Sequence, residues 1–85
     1  MKKALYCGID LHSSNAVYFI SDGQDKGVFK KRLPNSLPVV LGALEPFRQH
    51  LKLVAVESTY NWYWLVDGLM DRGYPVRLVH PTASE

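Results

Sequence analysis

The 85 residues, 47% hydrophobic and 12% aromatic, supply apolar mass for one core, which excludes a two-domain enzyme. Ten Lys and Arg against 8 Asp and Glu leave a net charge of +2, too small to mark a nucleic-acid binder by charge alone. Cys7 is the sole cysteine, so an intrachain disulfide and a zinc finger are both excluded, and the composition suits a reducing compartment.

Lys2 and Lys3 precede an apolar run, Ala4 to Ile9, that is too short for a signal-peptide core or a membrane span, so the expected location is cytoplasmic, away from membranes. Leu5 to Asp10 reads as a first strand and Asn15 to Ser21, rich in β-branched and aromatic residues, as a second. The turn from Asp22 to Gly27 carries Gly23 and Gly27, where positive φ is expected, and Val28 to Leu33 continues as the third strand of a meander. Pro34-Asn35-Ser36 ends it.

Leu37, Val40, Leu41, Leu44, Phe47 and Leu51 follow helical spacing, but Pro46 cannot donate to the Gly42 carbonyl, so the helix kinks or stops near Leu44–Glu45. Lys52 to Glu57 is a continuous apolar run of the buried parallel type. Ser58 and Thr59 are placed to cap a second helix from about Tyr60 to Arg72, stopped by Gly73, and Val76 to His80 forms the last strand.

The order β-β-β-α-β-α-β permits few topologies. An antiparallel meander followed by two right-handed crossovers gives a five-stranded mixed α/β sheet of order 3-2-1-4-5 with both helices on one face. Strand residues of both parities are apolar, so the other face lacks cover within residues 1–85, and a homo-oligomer is expected. With no closing helix after the last strand, the domain reads as incomplete.

Ligands in such sheets bind beyond the carboxyl ends of the strands where the order reverses, here between the first and fourth. Asp10 and Glu57 end those two strands. With strands about 4.8 Å apart, the two carboxylates can share a divalent cation, and oxygen-only ligands favour Mg²⁺ or Mn²⁺. Asp10 alone also fits an ordinary turn residue, whereas Glu57 at the end of an apolar strand calls for a cation or donor to offset desolvation.

Three segments carry a family resemblance: Tyr6-Cys7-Gly8-Ile9-Asp10-Leu11-His12-Ser13-Ser14, Phe29-Lys30-Lys31-Arg32-Leu33-Pro34-Asn35, and the distinctive Val56-Glu57-Ser58-Thr59-Tyr60-Asn61-Trp62-Tyr63-Trp64-Leu65-Val66-Asp67-Gly68-Leu69. They resemble the amino-terminal part of the DEDD transposases of the insertion sequence 110 family. The resemblance implies an RNase H-like, RuvC-like domain in which acidic residues bind Mg²⁺ and support DNA cutting and rejoining, with a guide-like RNA as a further partner. Asp10 matches the first acidic position and Glu57 the second. The later acidic positions of the family fall beyond Glu85, so residues 1–85 alone are expected to be inactive.

Other residues fit around that site. His12 lies near Asp10 as a candidate ligand or base, though a loop histidine that orients the turn fits as well, and Ser13 and Ser14 suit either a phosphate or the turn. Lys30, Lys31 and Arg32 form a basic run that guards a sheet edge or meets phosphate, with Lys30 and Arg32 on one face and Lys31 on the other. Helical phasing puts Trp62 with the core, and Tyr60 and Trp64 on the opposite side as partner-facing residues. Two other functions compete. An actin-type or sugar-kinase ATPase also begins on such a strand, but it requires Gly and Thr after Asp10, which Leu11 to Ser14 lack. A non-catalytic self-associating module would use the uncovered sheet.

Overall fold

In the computed structural model, residues 4–24, 26–58 and 61–79 are described. Alternation of large apolar side chains builds β1 (Leu5–Leu11) and β2 (Asn15–Asp22), and a more polar run forms β3 (Gly27–Pro34). After α1 (Leu37–Leu44) and a 3-10 helix (Glu45–His50) come β4 (Leu51–Glu57), α2 (Tyr63–Asp71) and β5 (Val76–Val79). The sheet has five strands in the order β3-β2-β1-β4-β5, as expected. The meander pairs are antiparallel, and β1–β4 and β4–β5 are parallel.

One strand parity is buried. Cys7 and Ile9, Tyr18 and Ile20, and Val54 and Val56 form one core with Val40 and Leu44 of α1 and Leu65, Val66 and Leu69 of α2, so both helices cover the same face. The opposite parity stays open, and Tyr6, Phe19 and Val79 are exposed. Matching the two parities across β1 and β4 takes one extra residue: Leu5 pairs Leu51 and Tyr6 pairs Leu53, leaving Lys52 in a bulge. Among the described residues no helix is long and apolar enough to cross a membrane.

Pro46 acts as its chemistry requires. The α-helix ends at Leu44, and the chain continues as a 3-10 turn with the proline in its first turn, where an amide would have no partner. Phe47 of that turn lies 5.3 Å, ring to ring, from Phe29 of β3. Arg48 donates to the Arg72 carbonyl at 2.7 Å and sits over the Tyr74 ring.

Three local expectations are corrected. The β2–β3 turn does not use glycines at positive φ; among the described glycines only Gly73 has that conformation. The Asp22 side chain closes the turn instead, accepting the Gln24 and Lys26 amides at 2.8 and 3.0 Å. The second helix starts at Tyr63, with Trp62 rather than Ser58 at its N-cap; Thr59 and Tyr60 lie outside the described residues. Asn61 competes for that end, its side-chain oxygen accepting the Tyr63 amide at 3.3 Å. The last strand is described to Val79, and His80 lies outside the described residues.

The third correction concerns Trp64, since Trp62 packs against the core as expected. Trp62 and Trp64 are both half-buried against the core, and Tyr63, stacked on Trp62, is the exposed ring. Trp64 is drawn inward because α1 packs on its flank of α2: at Gly68, one turn on from Trp64, a Cβ would come within 2.5 Å of Leu37. α2 then ends in a Schellman motif, with the Tyr74 amide on the Leu69 carbonyl (3.0 Å) and the Gly73 amide on that of Met70 (2.9 Å). Gly73 supplies the φ of 87°. Gly73→Ala is expected to destabilise the fold by about 1–2 kcal/mol in urea denaturation.

The core contains one acid–base lever. Burial pushes the Cys7 thiol from 9.0 up to about 12, and burial followed by the neighbouring Cys7 also pushes up the Tyr18 hydroxyl. Between pH 9 and 12 the unfolded chain has released the Cys7 proton and the folded chain has not, so raising pH favours unfolding. Stability is expected to hold below pH 9 and to fall above it, as read from urea midpoints. In Cys7→Ala the fall should be smaller.

Candidate functional site

The parallel β1–β4 ladder sets Asp10 directly opposite Glu57 at the carboxyl ends of the two strands. Paired residues of a sheet share a face, and both carboxylates stand on the open one, about 4.8 Å apart strand to strand. Both are exposed, which corrects one expectation: Glu57 bears no burial cost, because β4 turns Val54 and Val56 inward and Glu57 outward. Two like charges side by side make this end of the sheet a place where a cation is favoured.

His12 belongs to the same end. Its Nε2 lies 3.3 Å from Asp10 Oδ2, with the two side chains 50% and 60% exposed. The loop beneath is held by backbone and side-chain bonds: the His12 amide donates to the Asn15 carbonyl (2.8 Å), and Asn35 Nδ2 donates to the His12 carbonyl (2.9 Å). Ser13 and Ser14 are exposed in this loop, and the Ser14 hydroxyl accepts from Asn15 Nδ2 at 3.3 Å.

The basic run divides as its alternation demands. Lys31 pairs with Tyr18, on the parity of the helix-covered face, whereas Lys30 and Arg32 pair with Phe19 and Val17 on the open face. Arg32 Nη1 donates to Asn15 Oδ1 at 2.8 Å, which aims the guanidinium. A concavity of about 470 Å³ on this face is bordered by Asp10, Glu57, Lys30, Arg32, Phe19 and Val79. The structure thus unites Asp10, Glu57, His12, Lys30 and Arg32, and separates Lys31 and Trp64 from them. Tyr60 lies outside the described residues. Phe19 is the site residue that sequence reasoning missed, although its register with Lys30 follows from the meander.

Compared with protein-family models and with curated proteins, the sequence matches none. The chemistry therefore rests on the donors themselves. Among the described residues there is no cluster of three or more metal-ligating side chains, so the site offers a carboxylate pair rather than a closed cage. Such a pair fits Mg²⁺, which keeps several waters and takes one or two carboxylates, and does not fit structural zinc.

Because the two carboxylates repel across the ladder and neither is buried, Glu57→Gln is expected to raise stability by roughly 0.2–1 kcal/mol at neutral pH. Urea denaturation at low salt checks this, and high salt should shrink the gain.

Proposed function

We propose that this chain is part of a DNA transposase or recombinase that cuts and rejoins strands with Mg²⁺ or Mn²⁺ held at Asp10 and Glu57. The observation that carries the proposal is the pairing of Asp10 with Glu57 on adjacent parallel strand ends, at the point where strand order reverses. The resemblance of the strand-end segments to the DEDD transposases, and with it an RNase H-like assignment, agrees with the observed strand order and with the one-sided helices.

In this reading each residue has a limited task. Asp10 and Glu57 present oxygens from one face, and His12 limits the swing of the Asp10 carboxylate. Asn35 keeps the His12 loop in place through its carbonyl. A divalent cation bound there supplies positive charge against the attacking and leaving oxygens of phosphodiester exchange. The remaining acidic positions that the resemblance implies, and a guide-like RNA, belong to the proposal for the longer protein. The ATPase alternative gains nothing from the site, since Leu11 ends β1 and His12 to Ser14 form a loop without the glycines of a phosphate cradle.

Paramagnetic Mn²⁺ added to the isotopically labelled chain should broaden the amide signals of Asp10 to His12 and of Glu57 before all others. Asp10→Asn combined with Glu57→Gln should abolish the effect. Broadening centred elsewhere, or undiminished in the double variant, would refute the assignment. In the full-length protein the same two substitutions should eliminate Mg²⁺-dependent DNA cleavage.

A further inference from the structure

One row of strand partners runs Arg32, Val17, Asp10, Glu57 and Val79 across the sheet. Within that row the acidic pair is flanked by valines, and the cation of the row, Arg32, stands two strands from Asp10 and is held by Asn15. The side chain that does reach Asp10 comes from along the chain. His12 brings Nε2 to 3.3 Å from Asp10 Oδ2. That is longer than a charge-assisted hydrogen bond, which closes to about 2.7–2.9 Å. It is close to a chelating spacing, because two atoms bound to one ion at roughly 2.1 Å and near a right angle lie about 3.0–3.2 Å apart.

We infer that His12 is a nitrogen ligand of the cation site, its Nε2 binding beside Asp10 Oδ2, and that this imidazole makes the site prefer first-row transition ions over Mg²⁺. Mg²⁺ dehydrates reluctantly and takes oxygen, so a nitrogen adds little for it, whereas the gain rises along the series from Mn²⁺ to Co²⁺. As a ligand His12 carries its ring proton on Nδ1 and offers the Nε2 lone pair. Its backbone is fixed on both sides, by the Asn15 carbonyl at 2.8 Å and by Asn35 Nδ2 at 2.9 Å, so the ring starts from a set position and less freedom is lost on binding. Among the described residues no three metal-ligating side chains converge. Asp10 and His12 therefore form a two-atom bite, and Glu57, opposite Asp10 on the ladder, takes part through one of the waters that the ion keeps.

The inference rests on the proposed function for a cation at this strand end, but its ligand pair is Asp10 with His12 rather than Asp10 with Glu57. Calorimetric titration of the chain with Co²⁺, Mn²⁺ and Mg²⁺ tests it. His12→Gln keeps an N–H donor for the Asp10 carboxylate and removes the imidazole lone pair. It should weaken Co²⁺ binding roughly tenfold, weaken Mn²⁺ binding by less and leave Mg²⁺ unchanged. In the chain carrying ¹⁵N-labelled histidine, substoichiometric Mn²⁺ should broaden His12 Nε2 before Nδ1, while the His50 ring stays sharp. Circular dichroism confirms that each variant is folded. No Co²⁺ binding, unchanged Co²⁺ affinity in His12→Gln, equal losses for Co²⁺ and Mg²⁺, or broadening of Nδ1 ahead of Nε2 would overturn the inference. Glu57→Gln separates it from the functional reading. Binding that survives Glu57→Gln and falls in His12→Gln removes the carboxylate pair and leaves the imidazole ligand standing; binding that falls in Glu57→Gln and ignores His12→Gln does the reverse.

Discussion

The parallel pairing of β1 with β4 is the contact on which both the core and the site depend. Paired residues share a face, so a single register decides at once which side chains are buried and which carboxylates meet. With Lys52 bulged out, Cys7 and Ile9 lie beside Val54 and Val56 in the core, and Asp10 lies beside Glu57 outside it. Without the bulge, a one-residue shift would bring Asp10 against Val56, and the two carboxylates would part. The apolar core therefore enforces the acidic pair. Burial of several aliphatic side chains, each contributing about 1.5–3 kcal/mol, outweighs the modest repulsion between two exposed charges.

The helices then make the sheet asymmetric. α1 and α2 cover the face that carries Tyr18 and Ile20, and their mutual approach at Gly68 and Leu37 closes that layer. Asp10, Glu57, Lys30 and Arg32 are left on the other side. The Schellman turn at Gly73 and the grip of Arg48 on Arg72 and Tyr74 set where β5 begins, and with it the row that ends at Val79.

Topology was legible in the sequence because short antiparallel turns and right-handed crossovers leave few arrangements for this element order. The Pro46 stop and the Gly73 cap were legible for a similar reason, since each depends on one residue's covalent limits. The strand-end carboxylates were found by combining the two. What stayed hidden needed tertiary context. Nothing marks Lys52 as a bulge until its neighbours choose a register. Trp64 looks solvent-facing until α1 is known to lie on its flank. Asp22 and Asn61 each offer a side-chain oxygen where glycine or serine is the more familiar signal, and local hydrogen bonds decided both. Phe19 was visible only as a strand residue, because a role for its ring depends on what stands beside it.

The small loop of His12 has a wider effect than its length suggests. Asn35 follows β3 and bonds the His12 carbonyl, Arg32 of β3 bonds Asn15 of β2, and the Asn35 amide reaches the Ser14 carbonyl at 3.3 Å. The basic strand and the acidic strand ends are thus fastened to one another at the same edge of the sheet. Whatever binds there meets groups whose relative positions were settled when the chain folded, with no hinge between the basic and the acidic side chains. Such preorganisation places the entropic cost of alignment in folding rather than in encounter.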